Sequence, residues 1–246
     1  MMLLALITVF SLLGSLGAVA FAGVFLLFPE RTRASFIPGL ISYASGTLLG
    51  AAFLGLIPNA VNRLPAATVL RFVLAGVLLF FVLEKLMLWH HCHGKECEGR
   101  GTSGPLLLIG DALHNFVDGV IIAAAFIISV PLGISASLAV IAHEIPQEVG
   151  DFGVLLESGY KKQRAFLLNT LSSITTIPGA LLAFFYLKEV QGLIPYVMAL
   201  SAASFIYIAM VDLIPALHKK SGLVAGVRQF ALMLAGVATI TLFHLH

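Results

Sequence analysis

The sequence predicts an all-α membrane protein, a bundle of eight transmembrane helices, on three observations. Of its 246 residues, 59% are hydrophobic and only 11% are charged, less than half the roughly 25% charge of a soluble domain. The mean hydropathy is +1.03, which excludes an ordinary cytosolic enzyme. The apolar runs reach the ~20 residues that a spanning helix needs, whereas a β-barrel would show alternating segments of ~10 residues. No stretch is long or polar enough for a soluble domain, so residues 1–246 are expected to form a single transmembrane domain.

Taken in order, the first span covers about 2–28. Ala18-Val19-Ala20 mimics a signal-peptidase site, but no Lys or Arg precedes the apolar run and it continues to Phe28, so a spanning helix is expected. Pro29 and the charged Glu30–Arg33 separate it from span two, 36–62, which Pro65 follows. Span three, 68–90, leads into 91–103, the one sizeable loop. Spans four, 104–130, and five, 132–157, meet at Pro131; spans six, seven and eight cover 165–187, 193–216 and 223–244. The expected grouping is 3+2+3, with the two polar spans between two sets of three.

Basic residues set the orientation. With the N-terminus outside, the inner connections hold Arg31, Arg33, Lys95, Arg100, Lys161, Lys162, Arg164, Lys219, Lys220 and Arg228, and the outer ones only Arg63, Arg71 and Lys188. The positive-inside rule therefore places both termini outside. The loop then lies on the cytoplasmic side, where disulfides are rare. Its Cys92 and Cys97, with His90, His91 and His93, read as a flexible group that captures emerging metal. Glu84-Lys85 reads as a neighbouring ion pair near the inner interface, and Gly46 and Gly50 as a small-xxx-small packing pair.

The chemistry is concentrated in two spans. Spans one, two and six hold no charged residue, whereas spans four and five hold Asp111, His114, Asp118, His143, Glu144, Glu148 and Asp151. An acid at membrane depth costs at least about 2.5 kcal/mol, so these groups must face an interior or a watery path and find partners there. Asp111, His114, Asn115 and Asp118 fall at i, i+3, i+4 and i+7, one helical stripe; His143, Glu144, Gln147, Glu148 and Asp151 form another. Two such stripes face to face make a mixed N/O cage, which suits a divalent first-row metal held weakly enough to leave again. Pro146 removes a backbone donor within span five, freeing the carbonyl of residue 142.

These residues carry a resemblance. His114-Asn115-Phe116-Val117-Asp118-Gly119, followed by His143-Glu144-Ile145-Pro146-Gln147-Glu148-Val149-Gly150-Asp151, resembles the paired signature of the ZIP (Zrt/Irt-like) metal transporters, nearest the branch whose fifth helix reads HExPHExGD. The similarity extends to Leu83-Glu84-Lys85 and to Phe205–Asp212. It implies eight spans and a two-metal centre midway across the membrane, with His114, Asn115, Asp118, His143, Glu144, Gln147 and Asn169 as ligands. Asp111, Glu148, Asp151 and Asn59 are pathway or supporting residues in this reading. Three positions depart from the family pattern: Gln147 stands where this branch has His, Asn169 is neutral where an acid is common, and Asn59 replaces a His. Loss of anionic ligands leaves one ion or two open.

The function expected is import of divalent transition metals, zinc first, with iron, manganese, cobalt or cadmium within the family's range. The ion is cargo, no catalytic cofactor or nucleic acid is involved, and the lipid bilayer is the surrounding partner; a homodimer is left open. The location is a multi-pass integral membrane protein, in the inner membrane for a bacterial cell. Two alternatives compete. His143-Glu144-Ile145-Pro146-Gln147 nearly copies HExxH, a zinc protease motif, but its second His is Gln. A membrane metal sensor needs the same binding residues without a path.

Overall fold

The computed structural model describes residues 1–89, 103–218 and 222–244. The described chain is helical throughout and folds into rods labelled in order: α1 Met2–Phe25, α2 Glu30–Val61, α3 Ala66–Trp89, α4 Ser103–Ile128, α5 Val130–Glu157, α6 Lys162–Glu189, α7 Gln191–His218 and α8 Leu223–His244. Seven of them, all but α5, are long and apolar enough to cross a membrane. α5 falls short on composition, not length: its 28 residues include His143, Glu144, Gln147, Glu148 and Asp151. The loop residues His90, His91, Cys92, His93 and Cys97 lie outside the described residues.

Local chemistry sets the ends. Ser129 is the one extended residue between α4 and α5; its hydroxyl accepts the Leu132 N–H at 3.3 Å, and Pro131 fills the first turn, where a missing N–H costs nothing. α5 closes on Gly159 at φ 89°, with Tyr160 N–H on the Leu155 carbonyl and Gly159 N–H on that of Leu156, the two bonds of a Schellman cap. One boundary corrects the sequence reading. Glu30–Arg33, expected to be a linker, forms the first turn of α2, because extended Pro29 caps the helix and the Glu30 carboxylate suits its positive N-terminus.

Three π-helical turns were not foreseen: Leu13–Gly17 in α1, Ala51–Leu56 in α2 and Ile208–Leu213 in α7. The latter two run straight into the same tripeptide, Leu56-Ile57-Pro58 and Leu213-Ile214-Pro215. A proline ring clashes with the carbonyl four residues back, and widening the preceding turn lets the helix pass it. Spans two and seven thus share a device that hydropathy alone does not reveal.

Two helix pairs are zipped by glycine. In α4 and α6, a Cβ on Gly119 would fall on the Thr176 carbonyl, and one on Gly179 on the Phe116 carbonyl. In α2 and α8, a Cβ on Gly46 would fall on the Met233 carbonyl, and one on Gly236 on that of Tyr43. Such close backbone approach is how membrane helices associate when lipid offers no hydrophobic drive. α5 packs against α1, α2, α4 and α8, and the main core gathers Ile7, Leu48, Ile121, Phe126, Val140, Met198, Phe205 and Ile240 from six rods. α3 and α8 stand at the rim, with only 11% of their apolar windows buried.

Gly119→Val should lower unfolding stability by about 1–3 kcal/mol, the usual cost of overpacking, because its side chain meets backbone. Gly226→Ala meets nothing within 4 Å and should leave stability unchanged or slightly raised. Thermal unfolding in detergent reads both; equal midpoints would refute the zipper.

Candidate metal centre

α4 and α5 bring their polar stripes together as the spacing predicts. Asp111 is 5% exposed, Asn115, Asp118, His143, Glu144 and Glu148 are fully buried, and the His114 side chain keeps 20% exposure. His114 Nε2 and His143 Nε2 lie 3.1 Å apart. Asp118 Oδ2 is 3.1 Å from the His143 nitrogen and 3.6 Å from that of His114. Glu144 Oε1 is 3.5 Å and 3.6 Å from the same two nitrogens. Zinc bonds to nitrogen and oxygen at about 2.0–2.2 Å, so the edge of its tetrahedron is about 3.3–3.6 Å. The separations found are close to those edges.

The backbone fixes the tautomer of one of the two histidines. His143 Nδ1 lies 2.9 Å from the Ala139 carbonyl, which can only accept, so Nδ1 carries the proton. Nε2 is then a bare lone pair aimed at the cluster, the usual arrangement of a metal-bound imidazole.

A second group adjoins the first. Asp111, Glu144 and Glu148 offer oxygens within 4.8 Å of one another, and Glu144 belongs to both groups. Both oxygens of Asp118, both of Glu144, Asp111 Oδ2 and Glu148 Oε1 are buried without a hydrogen-bond partner. Among the described residues, no Lys or Arg lies within 4.0 Å of these carboxylates; His114 and His143 are the paired bases. Four acids in a dry interior without fixed cations need positive charge from outside the chain, as divalent ions or protons. Two divalent ions would neutralise four carboxylates.

The three amides expected as ligands are placed differently from the imidazoles. Asn115 donates to Asp111 Oδ1 at 2.9 Å, Gln147 to the same oxygen at 3.2 Å, and Asn169 to Glu148 Oε2 at 2.5 Å. Asn59 stays on its own helix, bonded to the Gly55 carbonyl at 3.0 Å, and half-buried Asp151 belongs to neither group. Sequence reasoning missed α6's hydroxyls. Thr176 Oγ1 lies 2.8 Å and Ser173 Oγ 3.4 Å from Asn115 Oδ1, and Thr175 donates to the Ala112 carbonyl at 2.6 Å. The run of Ser and Thr from 170 to 176 in an otherwise apolar span was the available signal. The expected Glu84–Lys85 pair is also corrected: Glu84 accepts the Tyr207 hydroxyl of α7, and Lys85 lies over the Phe81 ring.

Glu144 is held among His114, Asp118 and His143 by burial alone, with no hydrogen-bond donor to either oxygen. Glu144→Gln should therefore stabilise the metal-free protein by something on the order of 1–3 kcal/mol, the scale of an unsatisfied buried group, and erase most of the stabilisation that added zinc confers. Differential scanning fluorimetry with chelator and with zinc checks both. A variant less stable without metal and still protected by zinc would contradict this account.

Comparison with known proteins agrees. The sequence model of the ZIP zinc transporter family matches residues 87–244. Zinc transporter ZIP13 of Pongo abelii is 32% identical over 96% of this chain and 78% of its own length. The human zinc transporter ZIP10 is 35% identical over 52% of this chain, and the Pongo abelii zinc transporter ZIP6 is 39% identical over 48%. Those two alignments span only 17% and 16% of the relatives' own lengths. The family is one of transporters, not enzymes. The chain, a multi-pass integral membrane protein with seven apolar helices around a buried acid–imidazole cluster, belongs to the ZIP zinc transporter family.

Proposed function

We propose that this protein imports divalent transition-metal ions, zinc foremost, through the centre formed by α4 and α5. The carrying observation is the set of His114, Asp118, His143 and Glu144, in which each imidazole nitrogen lies 3.1–3.6 Å from the other and from both carboxylates. Two neutral imidazoles and two carboxylates bind zinc without thiolate, strongly enough to strip water and weakly enough to release. Asn115, Gln147 and Asn169 support this centre from around it.

In this reading residues 1–246 form one domain of eight spans in a 3+2+3 arrangement. α5 is the eighth span, shielded from lipid by its neighbours, and both termini face outside. Exposure alternates by one group of helices moving against another around the fixed site. The glycine-locked pairs α4–α6 and α2–α8 are suited to stay internally rigid during that motion. Cargo leaves toward the Cys/His loop. Because carboxylates and imidazoles must be deprotonated to bind metal, protons compete with the ion.

The protease alternative has little support. Glu144 stands at a ligand position, 3.5–3.6 Å from both imidazole nitrogens, and Gln147 gives its NH2 to Asp111. Neither acts as the motif requires.

Proteoliposomes holding the purified chain and an internal zinc indicator decide between carrier and sensor. Wild type should take up zinc, uptake should fall as the outside is acidified, and His143→Ala should abolish it. A wild type that binds zinc and moves none would overturn the transporter reading.

A further inference from the structure

α2 and α8 run parallel. Ser35 meets Arg228, Gly39 faces Leu232, Gly46 faces Met233 and Gly50 faces Val237 and Ile240, so positions on the two helices advance together. Their N-termini therefore lie at one membrane face, where their positive dipole ends add. Between their early turns opens a cavity of about 140 Å³, lined by Ser35, Pro38 and Gly39 of α2 and by Ala225, Arg228 and Leu232 of α8. Exposed Arg31 continues the α2 wall toward that face, since 31, 35, 38 and 39 fall at i, i+4, i+7 and i+8 on one stripe.

Arg228 is exposed on a rim helix, five residues into the apolar span Leu223–Phe243, which is about 7.5 Å from its start. A cation facing lipid at that depth is costly unless it reaches the headgroup layer or an anion comes to it. Its Nη2 donates to the Ser35 carbonyl over a long 3.4 Å, and among the described residues no carboxylate lies within 4.0 Å of it. A guanidinium offers five N–H groups in a planar fork that matches a phosphate. Helical side chains lean toward the N-terminus, so Arg31 and Arg228 both lean toward the same face. Glu30 is the acid of these first turns, and Arg31, Arg33 and Arg228 outnumber it. Phe36, Val224 and Val227 are exposed nearby in sequence on the same two helices. An anion-binding fork beside bare apolar surface fits an amphipathic anion better than a soluble one.

We propose that this groove seats the phosphate of an anionic phospholipid, with Arg228 gripping the phosphodiester, Arg31 adding charge at the mouth and Gly39 leaving the room. With both termini outside, the groove opens to the cytoplasmic leaflet, whose surface is negative and where basic pockets between spans bind headgroups. The lipid bridges the first turns of the helix pair that glycine contacts lock further along. Neither polar stripe of α4 and α5 takes part, so the proposal stands whether or not the chain carries zinc.

Native mass spectrometry of the full chain in detergent, offered phosphatidylglycerol and phosphatidylcholine at equal concentration, tests it. One phosphatidylglycerol should be held about 5-fold or more tightly than phosphatidylcholine. Arg228→Gln should weaken it about 10-fold, the scale of a hydrogen bond to a charged group, and Arg31→Gln about 5-fold, the scale of one basic residue at an anionic surface. Gly39→Val keeps every charge, crowds Leu232 and Arg228, and should weaken it too. Lys162→Gln, at the start of α6 and outside the groove, should not. Cooperative unfolding of each variant in lipid-free detergent reports that it is folded. The proposal fails if the two lipids bind alike, if Lys162→Gln costs as much as Arg228→Gln, or if Gly39→Val binds as wild type does. Displacement of the lipid by millimolar inorganic phosphate would also overturn it, by making the groove a site for a soluble anion.

Discussion

Four carboxylates buried together in the middle of a membrane protein are the constraint on which the rest of this structure depends. Asp111, Asp118, Glu144 and Glu148 are between 0% and 5% exposed and have no Lys or Arg partner among the described residues. In a medium of low dielectric such a cluster is tolerable only when cations visit it. The same property that makes the cluster costly when empty suits it to divalent metal. Its two histidines supply nitrogen, and the His143 proton pinned on the Ala139 carbonyl leaves the ring ready to bind.

The surrounding architecture follows from that need. α5 carries too many polar groups to face lipid, so it packs among α1, α2, α4 and α8, while the apolar α3 and α8 take the rim. α6 has no charge to contribute within the bilayer, but glycine contacts draw it against α4, close enough for its hydroxyls to reach Asn115. Small residues therefore do more than pack; the approach of Gly119 and Gly179 sets the distance at which Thr176 can orient a side chain on α4. The π turns before Pro58 and Pro215 let α2 and α7 run past their prolines without ending.

Much of this was legible in the chain. Apolar runs separated by Pro and Arg located the spans, and helical spacing put His114 with Asp118 and His143 with Glu144 on single faces, where the structure finds them. The amides were harder to read. Asn115, Gln147 and Asn169 sit at ligand-like spacing, but an amide presents either a donor or an acceptor, and which end faces the cluster depends on neighbours from other helices. Glu84 misled for a similar reason: its adjacent Lys85 is close in sequence, but consecutive helical residues point in different directions, and Tyr207 from α7 reaches the carboxylate instead.

The sequence by itself determined that this chain is helical, that it belongs in a membrane, and which two helices carry the clustered acids and histidines, because composition and the 3.6-residue period are local properties. Only the tertiary structure decided how the acids divide into two groups sharing Glu144, that Asp111 is the carboxylate which Asn115 and Gln147 hold, and that α6 orients Asn115. The cross-helix hydrogen bonds among those relations, Gln147 to Asp111 and Thr176 to Asn115, join residues 36 and 61 positions apart. They depend on how closely two helix backbones approach, a distance that no one-dimensional pattern encodes.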